Sequence, residues 1–415
     1  MLVMGFPMSI VAPKARKHLA ADALLHVIRS GFATIPDPRC DDGDMAFTDA
    51  LMSAFALFSL TAPSLLACDK ERAEGHVHTI YGIQRGPCDT HMRESLAPVS
   101  PKGLRPVCTS VVRPLQRGKA LEAMVLLDGH SFLALDGTGY FASQTMHCAS
   151  CVHRVHRSGA ITETHQMVGA AIIHPDQRTV MPLRPEPIVQ HDGTDNNDGE
   201  RHAATRVGAT WRQDHPHRKC IVTADRLSAH APPIDTLHDH GLHAILGVKE
   251  GDHASLCQPG EAAEHAGRVT ASERHDRAVG VVHRFRLVND VPLNTSNADV
   301  RVHGIAYGEM DADTVQHCSW VTDMRVHKRN VFHLMRGGRA RWKRDNATCK
   351  TLQNQGDHFA HTDGHGEQHL SVVFAMVMML AFLVDPTPQL CCVPRRLDAT
   401  GQQAAVVGAH AGVVG

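Results

Sequence analysis

The chain lacks several features that would assign it to a specialised class of protein. Its 415 residues carry a formal net charge of −1, which argues against a uniformly basic coat for nucleic acid but is compatible with local basic patches. Its 12 cysteines are too dilute for a disulfide scaffold, so we expect reduced thiols in a cytoplasmic protein without a secretory leader. The apolar run LSVVFAMVMMLAFLV at Leu370–Val384 is shorter than the roughly 20 residues that cross a bilayer. It therefore predicts a core helix and no membrane partner.

What is present is the composition of a globular protein with a large core, since hydrophobic residues make up 43% and charged residues 20%. Residues 1–45 show no regular pattern and are expected to be irregular. Residues 46–125 predict a helical domain. Residues 126–392 alternate short apolar runs with helical stretches, which predicts a mixed α/β sheet with a strand-rich insertion at about 255–325. The glycine-rich tail, 393–415, is expected to be disordered.

Two apolar strands of the mixed region each finish on an aspartate. The first, in HSFLALDGTGYF, ends at Asp136, and the glycines of residues 137–139 predict a turn. The second, in CIVTADR, ends at Asp225. Either aspartate alone is typical of a turn or a cap. If the strands are neighbours, however, both carboxylates meet at one edge of the sheet, where α/β proteins bind ligands and where a pair of acids could hold Mg²⁺.

A third acid follows a basic segment near the end of the chain, in LMRGGRARWKRDNATCK. Asp345 comes four residues after Arg341, so a helix would place both on one face. The basic residues here are Arg339, Arg341 and Lys343. They are compatible with a solvated helix face, or with the neutralisation of nucleic-acid phosphates.

Taken together, the segments LALDGTGYF, HCASC, HQMVGAAIIHPD, RPEPIVQHDG, ILGVKEGDH, SWVTD and LMRGGRARWK resemble those of bacterial insertion-sequence transposases of the DDE type. The resemblance runs from about residue 47 to about residue 391 and implies an RNase H-like catalytic core, with the insertion before its last catalytic helix. It implies a catalytic, metal-binding triad of Asp136, Asp225 and Asp345. It also implies DNA contacts by Arg339, Arg341 and Lys343.

The activity implied by this resemblance is DNA transposition: metal-dependent phosphodiester hydrolysis and strand transfer, with Mg²⁺ or Mn²⁺ as cofactor. The partners would be the terminal inverted repeats of the element, bound by residues 46–125, the target DNA, and a second copy of the chain in a homodimeric synaptic complex. The location would be cytoplasmic and nucleoid-associated. The third acid departs from the family pattern, because Asp345 replaces a glutamate, and Gln353 replaces a lysine. The alternative is therefore a catalytically impaired remnant that at most binds DNA.

A second metal-binding pattern is the Cys-x2-Cys pair of Cys148 and Cys151, the spacing of a zinc knuckle. A complete structural Zn²⁺ site needs four ligands. His156 is the best third ligand because the resembling family shares its HR-x-G context, and His165 is a candidate fourth. The alternative is two reduced thiols beside a strand turn.

Three further histidines, His361, His365 and His369, recur every four residues. Gly364 and Gly366 argue against a continuous helix there, so we expect no chelating stripe from these histidines.

Overall fold

The computed structural model describes residues 20–39, 45–60, 76–148, 150–189, 196–224, 231–248, 269–277, 280–294, 297–310, 315–344 and 365–387. Its helices in these ranges are α1 Ala21–Phe32, α2 Phe47–Ser59, α3 His76–Tyr81, α4 Asp89–Leu96, α5 Arg105–Arg117, α6 Asn196–Asp214, α7 Ala231–Asp239, α8 Val331–Arg339, α9 Trp342–Arg344 and α10 Leu370–Val384. Its strands are β1 Val125–Leu127, β2 His130–Ser143, β3 Val152–Val155, β4 Ile161–Ile173, β5 Met181–Pro182, β6 Glu186–Pro187, β7 Lys219–Ala224, β8 His243–Val248, β9 Val269–Asp276, β10 Val281–Asn294, β11 Asn297–Met310 and β12 Val315–Thr322.

The strands form one large mixed sheet with the main order β3-β4-β2-β7-β8-β12-β11-β10-β9. The central strands β2, β7 and β8 are parallel to one another. The pairs on either side of them are antiparallel. Parallel strands need a crossover, and α6 and α7 supply it by preceding β7 and β8 in the chain. This confirms the mixed α/β class. The tail 393–415 lies outside the described residues.

Strand β2 contributes to two hydrophobic cores because its side chains alternate between the faces of the sheet. Leu133 and Leu135 pack in the core formed with α2, α5, α6 and α10. Phe132 and Ala134 pack in a second core, which includes the buried side of α8. The sheet is therefore covered on both faces around β2, which fixes its position.

Helix α10 is buried along nearly its whole length, as the apolar run predicted. It packs on α2, where the rings of Phe58 and Phe374 meet edge to face at 5.8 Å. Among the described residues, no helix combines the length and the hydropathy that a membrane span needs.

The expectation that residues 1–45 are irregular is wrong for α1. Its residues Leu24, Ile28 and Phe32 are fully buried at a spacing of four. This spacing creates one apolar stripe on a helix, and the stripe packs against α5.

Helix α8 approaches the sheet closely through two adjacent glycines. A Cβ at Gly337 would overlap the ring of Phe132, and one at Gly338 would lie 2.8 Å from Trp320 Nε1. Glycine costs a helix interior about 1 kcal/mol relative to alanine, so its presence here reflects packing and not helix propensity.

Gly337→Ala should therefore destabilise the protein although alanine is the better helix former. We expect a loss of about 1 to 3 kcal/mol in the free energy of unfolding, the usual cost of overpacking, measured by urea denaturation. Gly308→Ala is the matched control, because its Cβ would meet only His317, at 3.6 Å. A Gly337→Ala protein as stable as the wild type would contradict the close approach of α8 to β2.

A buried charge cluster joins the helices of residues 46–125 to α6. Glu186 is 2% exposed and accepts hydrogen bonds from Arg184 Nη1 and Arg206 Nε, each at 2.8 Å. Arg105 of α5 completes the cluster with a further ion pair to the same carboxylate. Burial lowers the pKa of Arg105, and the adjacent Glu186 charge opposes that change. One carboxylate thus holds α5, β6 and α6 together.

Glu186→Gln should destabilise the fold by about 3 to 5 kcal/mol, since it leaves three guanidinium groups around a neutral amide. Thermal and urea unfolding measure the change. Glu122→Gln is the control, because Glu122 is half-exposed and lies 3.8 Å from Arg218. Equal stabilities of the two variants would show that the cluster does not hold α6.

Candidate functional site

The first candidate site lies where β2 emerges from the core. Leu135 is 3% exposed, whereas Asp136 and Gly137 are partly exposed. The parallel pairing with β7 includes Ala134 opposite Thr223, and β7 ends at Ala224. Asp225 follows directly in the chain but lies outside the described residues. The two aspartate-bearing segments are therefore neighbours and run in the same direction.

The expectation that the strand ends in a turn after Asp136 is wrong. Strand β2 continues to Ser143, because its backbone pairs with β4 as far as Ser143 opposite Glu163. The glycines of residues 137–139 lie within the strand. Asp136 thus lies two residues beyond Ala134, the last residue of β2 that pairs with β7 in the described part of the chain, and it is opposite Gly169 of β4.

A carboxylate that the sequence did not single out approaches this point from α6. Glu200 Oε1 accepts a hydrogen bond from the backbone amide of Gly137 at 3.2 Å. A Cβ at Gly137 would lie 2.7 Å from Glu200 Oε2, so a side chain there would displace this carboxylate. Little in the sequence singles out Glu200, because a glutamate near the start of a helix ordinarily serves only to stabilise the helix dipole.

Arg339 of α8 and Lys343 of α9 are engaged within the protein. Arg339 pairs with Glu309 and lies 3.3 Å from Gln316 Oε1. Lys343 Nζ donates to the backbone carbonyls of residues 174, 175 and 177, which follow β4. Arg341 is partly buried, and Asp345 lies outside the described residues. DNA contact by these side chains stays a prediction.

The second candidate site is a cluster of two thiols and two imidazoles. Its atoms are Cys148 Sγ, Cys151 Sγ, His165 Nε2 and His365 Nε2, all within 4.8 Å of one another. The two sulfur atoms are 3.8 Å apart, and the two nitrogens are 3.2 Å apart. His165 Nε2 lies 3.4 Å from Cys148 Sγ and 3.5 Å from Cys151 Sγ, and His365 Nε2 lies 3.4 Å from Cys151 Sγ.

The protonation of this cluster suits a ligand set. The hydrogen bond between the two thiol groups lowers the pKa of Cys148 and raises that of Cys151, so the pair readily holds one thiolate. Burial lowers the pKa of His365, which favours the neutral form of its imidazole. His365 Nδ1 lies 3.0 Å from Gly366 O, which favours the tautomer with a lone pair on Nε2.

The sequence identified both cysteines and His165 but chose His156 as the third ligand, which does not join the cluster. His156 is exposed, and its Nε2 lies 2.8 Å from Thr162 Oγ1. Its place is taken by His365, 200 residues from His165 in the chain. The sequence noted His365 only as part of the repeat of His361, His365 and His369, of which His361 lies outside the described residues. The fold brings His365 to the cluster.

Comparison with known proteins does not identify the family of this chain. No family model matches the chain, and no curated protein matches it. Among solved structures, a piggyBac transposase in a synaptic complex with hairpin DNA is similar at a TM-score of 0.41 and 10% sequence identity. That match covers 91% of this chain and 75% of the other. A likeness at this level does not assign a function.

Proposed function

We propose that this chain is a DNA transposase of the DDE type, with a catalytic core of RNase H-like topology. The observation that carries the proposal is the parallel pairing of β2 and β7, which sets Asp136 beside the end of the strand that Asp225 follows. The topology is consistent with it: an antiparallel β2–β4 pair, a crossover through α6 to β7, and a second crossover through α7 to β8. The antiparallel strands β9–β12 then precede α8, as an insertion would.

The register supports a shared site for the two aspartates. Phe132 is opposite Ile221, and Ala134 is opposite Thr223. The same register, continued by two residues, would set Asp136 opposite Asp225. Two carboxylates at one edge suit a hard divalent cation, so we assign the binding of Mg²⁺ or Mn²⁺ to them.

The third carboxylate has two candidates. Asp345 follows Lys343 by two residues, and Lys343 is held against the backbone after β4. The last residue of β4, Ile173, is opposite Phe132, whereas Gly169 is opposite Asp136. Ile173 and Gly169 are about 13 Å apart along β4, so Lys343 contacts the protein well away from the level of Asp136. Glu200 already contacts the residue next to Asp136, so we assign the third position to Glu200 and regard Asp345 as its rival.

The chemistry follows from what these residues would hold. Bound divalent ions activate the attacking oxygen and stabilise the leaving oxygen of a phosphodiester. Asp136 is partly exposed, so solvent can reach its carboxylate. In the proposed reaction a water oxygen attacks the phosphodiester at the element end and displaces a 3′-hydroxyl. The oxygen of that hydroxyl then attacks a phosphodiester of target DNA, and the P–O bond to the target 3′-oxygen breaks as the new bond forms.

The second candidate function is a remnant that binds DNA without cleaving it. The sequence favours it, because Asp345 stands where the resembling family has a glutamate, and its side chain is about one carbon–carbon bond shorter. DNA cleavage that depends on Glu200 would favour the transposase over the remnant.

Cleavage and strand transfer on a DNA fragment that carries the ends of the element should require Asp136. With Mg²⁺ or Mn²⁺, Asp136→Asn and Glu200→Gln should each abolish activity, whereas Asp345→Asn should retain it. Asp299→Asn is the control, since Asp299 is an exposed carboxylate on β11. Undiminished activity in Asp136→Asn would refute the proposed function. A wild-type protein that binds the fragment without cleaving it would favour the remnant. If Asp345→Asn abolished activity and Glu200→Gln did not, Asp345 would be the third acid of the triad.

Gly137→Ala should reduce activity without removing any acid. Its Cβ would displace the Glu200 carboxylate, and misplacing a group that supports a metal site typically costs about tenfold to a hundredfold. Gly139→Ala is the matched control two residues along the same strand, where the nearest atom is Gln166 Cγ at 3.9 Å. Steady-state cleavage rates of the two variants test this, and equal rates would exclude a catalytic role for Glu200.

A further inference from the structure

The geometry points to a structural Zn²⁺ site formed by Cys148, Cys151, His165 and His365, and we propose that this ion fastens the start of α10 to the sheet. The inference does not depend on the proposed transposase activity. It rests on the shape of the cluster, on the contacts around it and on the elements that it joins.

The shape of the cluster is that of a tetrahedral zinc centre. With Zn–S bonds of about 2.3 Å and Zn–N bonds of about 2.05 Å, tetrahedral geometry separates two sulfurs by about 3.8 Å, a sulfur and a nitrogen by about 3.6 Å, and two nitrogens by about 3.3 Å. Five of the six distances in the protein are close to these values: 3.8 Å between the sulfurs, 3.4 to 3.5 Å for three sulfur–nitrogen pairs, and 3.2 Å between the nitrogens. The sixth pair, Cys148 Sγ and His365 Nε2, lies within 4.8 Å. Hydrogen bonding alone does not explain four donor atoms that converge in this way.

The surroundings complete the site. The backbone amides of Cys148 and Ser150 donate to Cys151 Sγ and Cys148 Sγ, each at 3.3 Å, which favours thiolate ligands. His165 is 1% exposed, and the rings of Tyr140 and Phe141 lie 5.7 Å and 5.5 Å from its imidazole. The ligands are thus oriented by backbone and aromatic contacts before any ion binds.

The ion would join parts of the chain that are distant in sequence. The cysteines lie between β2 and β3, His165 lies on β4, and His365 comes five residues before α10. The contacts continue beside the cluster. Ser150 Oγ lies 2.9 Å from His369 Nδ1, and the His369 amide donates to Ala97 O, just after α4, at 3.0 Å. A zinc ion here would hold the sheet edge, the start of α10 and the helical region in one arrangement.

Metal analysis of the purified full chain tests the site. We expect one zinc ion per chain and an X-ray absorption spectrum with two sulfur and two nitrogen ligands. Cys148→Ser and His365→Ala should lose the zinc, while His365→Cys should keep it because a thiolate can replace the imidazole. His156→Ala and Cys88→Ser are the controls and should keep it. A metal-free protein, a Cys148–Cys151 disulfide, or zinc lost with His156→Ala but kept with His365→Ala would overturn the assignment.

The fastening role has a separate readout. Removal of zinc from the wild type with a chelator should lower Tm by several degrees and speed hydrogen exchange in α10. The same treatment should change neither quantity further in His365→Ala. If the variants are too unstable to purify, the wild type with and without chelator still decides the question. Unchanged exchange in α10 after zinc loss would contradict the role.

Discussion

The parallel pairing of β2 with β7 is the constraint on which the rest of this structure depends. Pairing across the crossover through α6 buries β2 on both faces and gives each face its own hydrophobic core. Among the described residues this pairing runs as far as Ala134 opposite Thr223, and Asp136, two residues farther along β2, is partly exposed. The register of β2 with β7 therefore determines both the buried part of the sheet and its candidate reactive edge.

Helix α6 couples this edge to the rest of the protein. Its residue Glu200 meets the backbone of β2, and six residues later Arg206 enters the charge cluster around Glu186. That cluster also holds α5 of the helical region. Because a buried carboxylate with three arginines tolerates little displacement, the position of Glu200 is set by packing far from it. The proposed zinc site would add a second tie, between the sheet edge and α10.

The sequence predicted the features that depend on local patterns. The alternation of apolar runs indicated the mixed sheet, and the run at Leu370–Val384 indicated a buried helix. It could not predict features that depend on pairing between distant segments. Glycines beside Asp136 suggested a turn, yet β4 continues the ladder through them. Glu200 was not singled out, and His365 was noted only as part of a four-residue repeat, because only the fold brings each to its site.

The central claim is that carboxylates at the β2–β7 edge bind divalent metal. A crystal soaked in Mn²⁺ and measured at the manganese absorption edge tests it most directly, because anomalous scattering locates the ion without any assumption about activity. We predict an anomalous peak within bonding distance of the Asp136 carboxylate, shared with Glu200 or Asp225. A protein that binds Mn²⁺ elsewhere, with no peak near Asp136, would contradict the account.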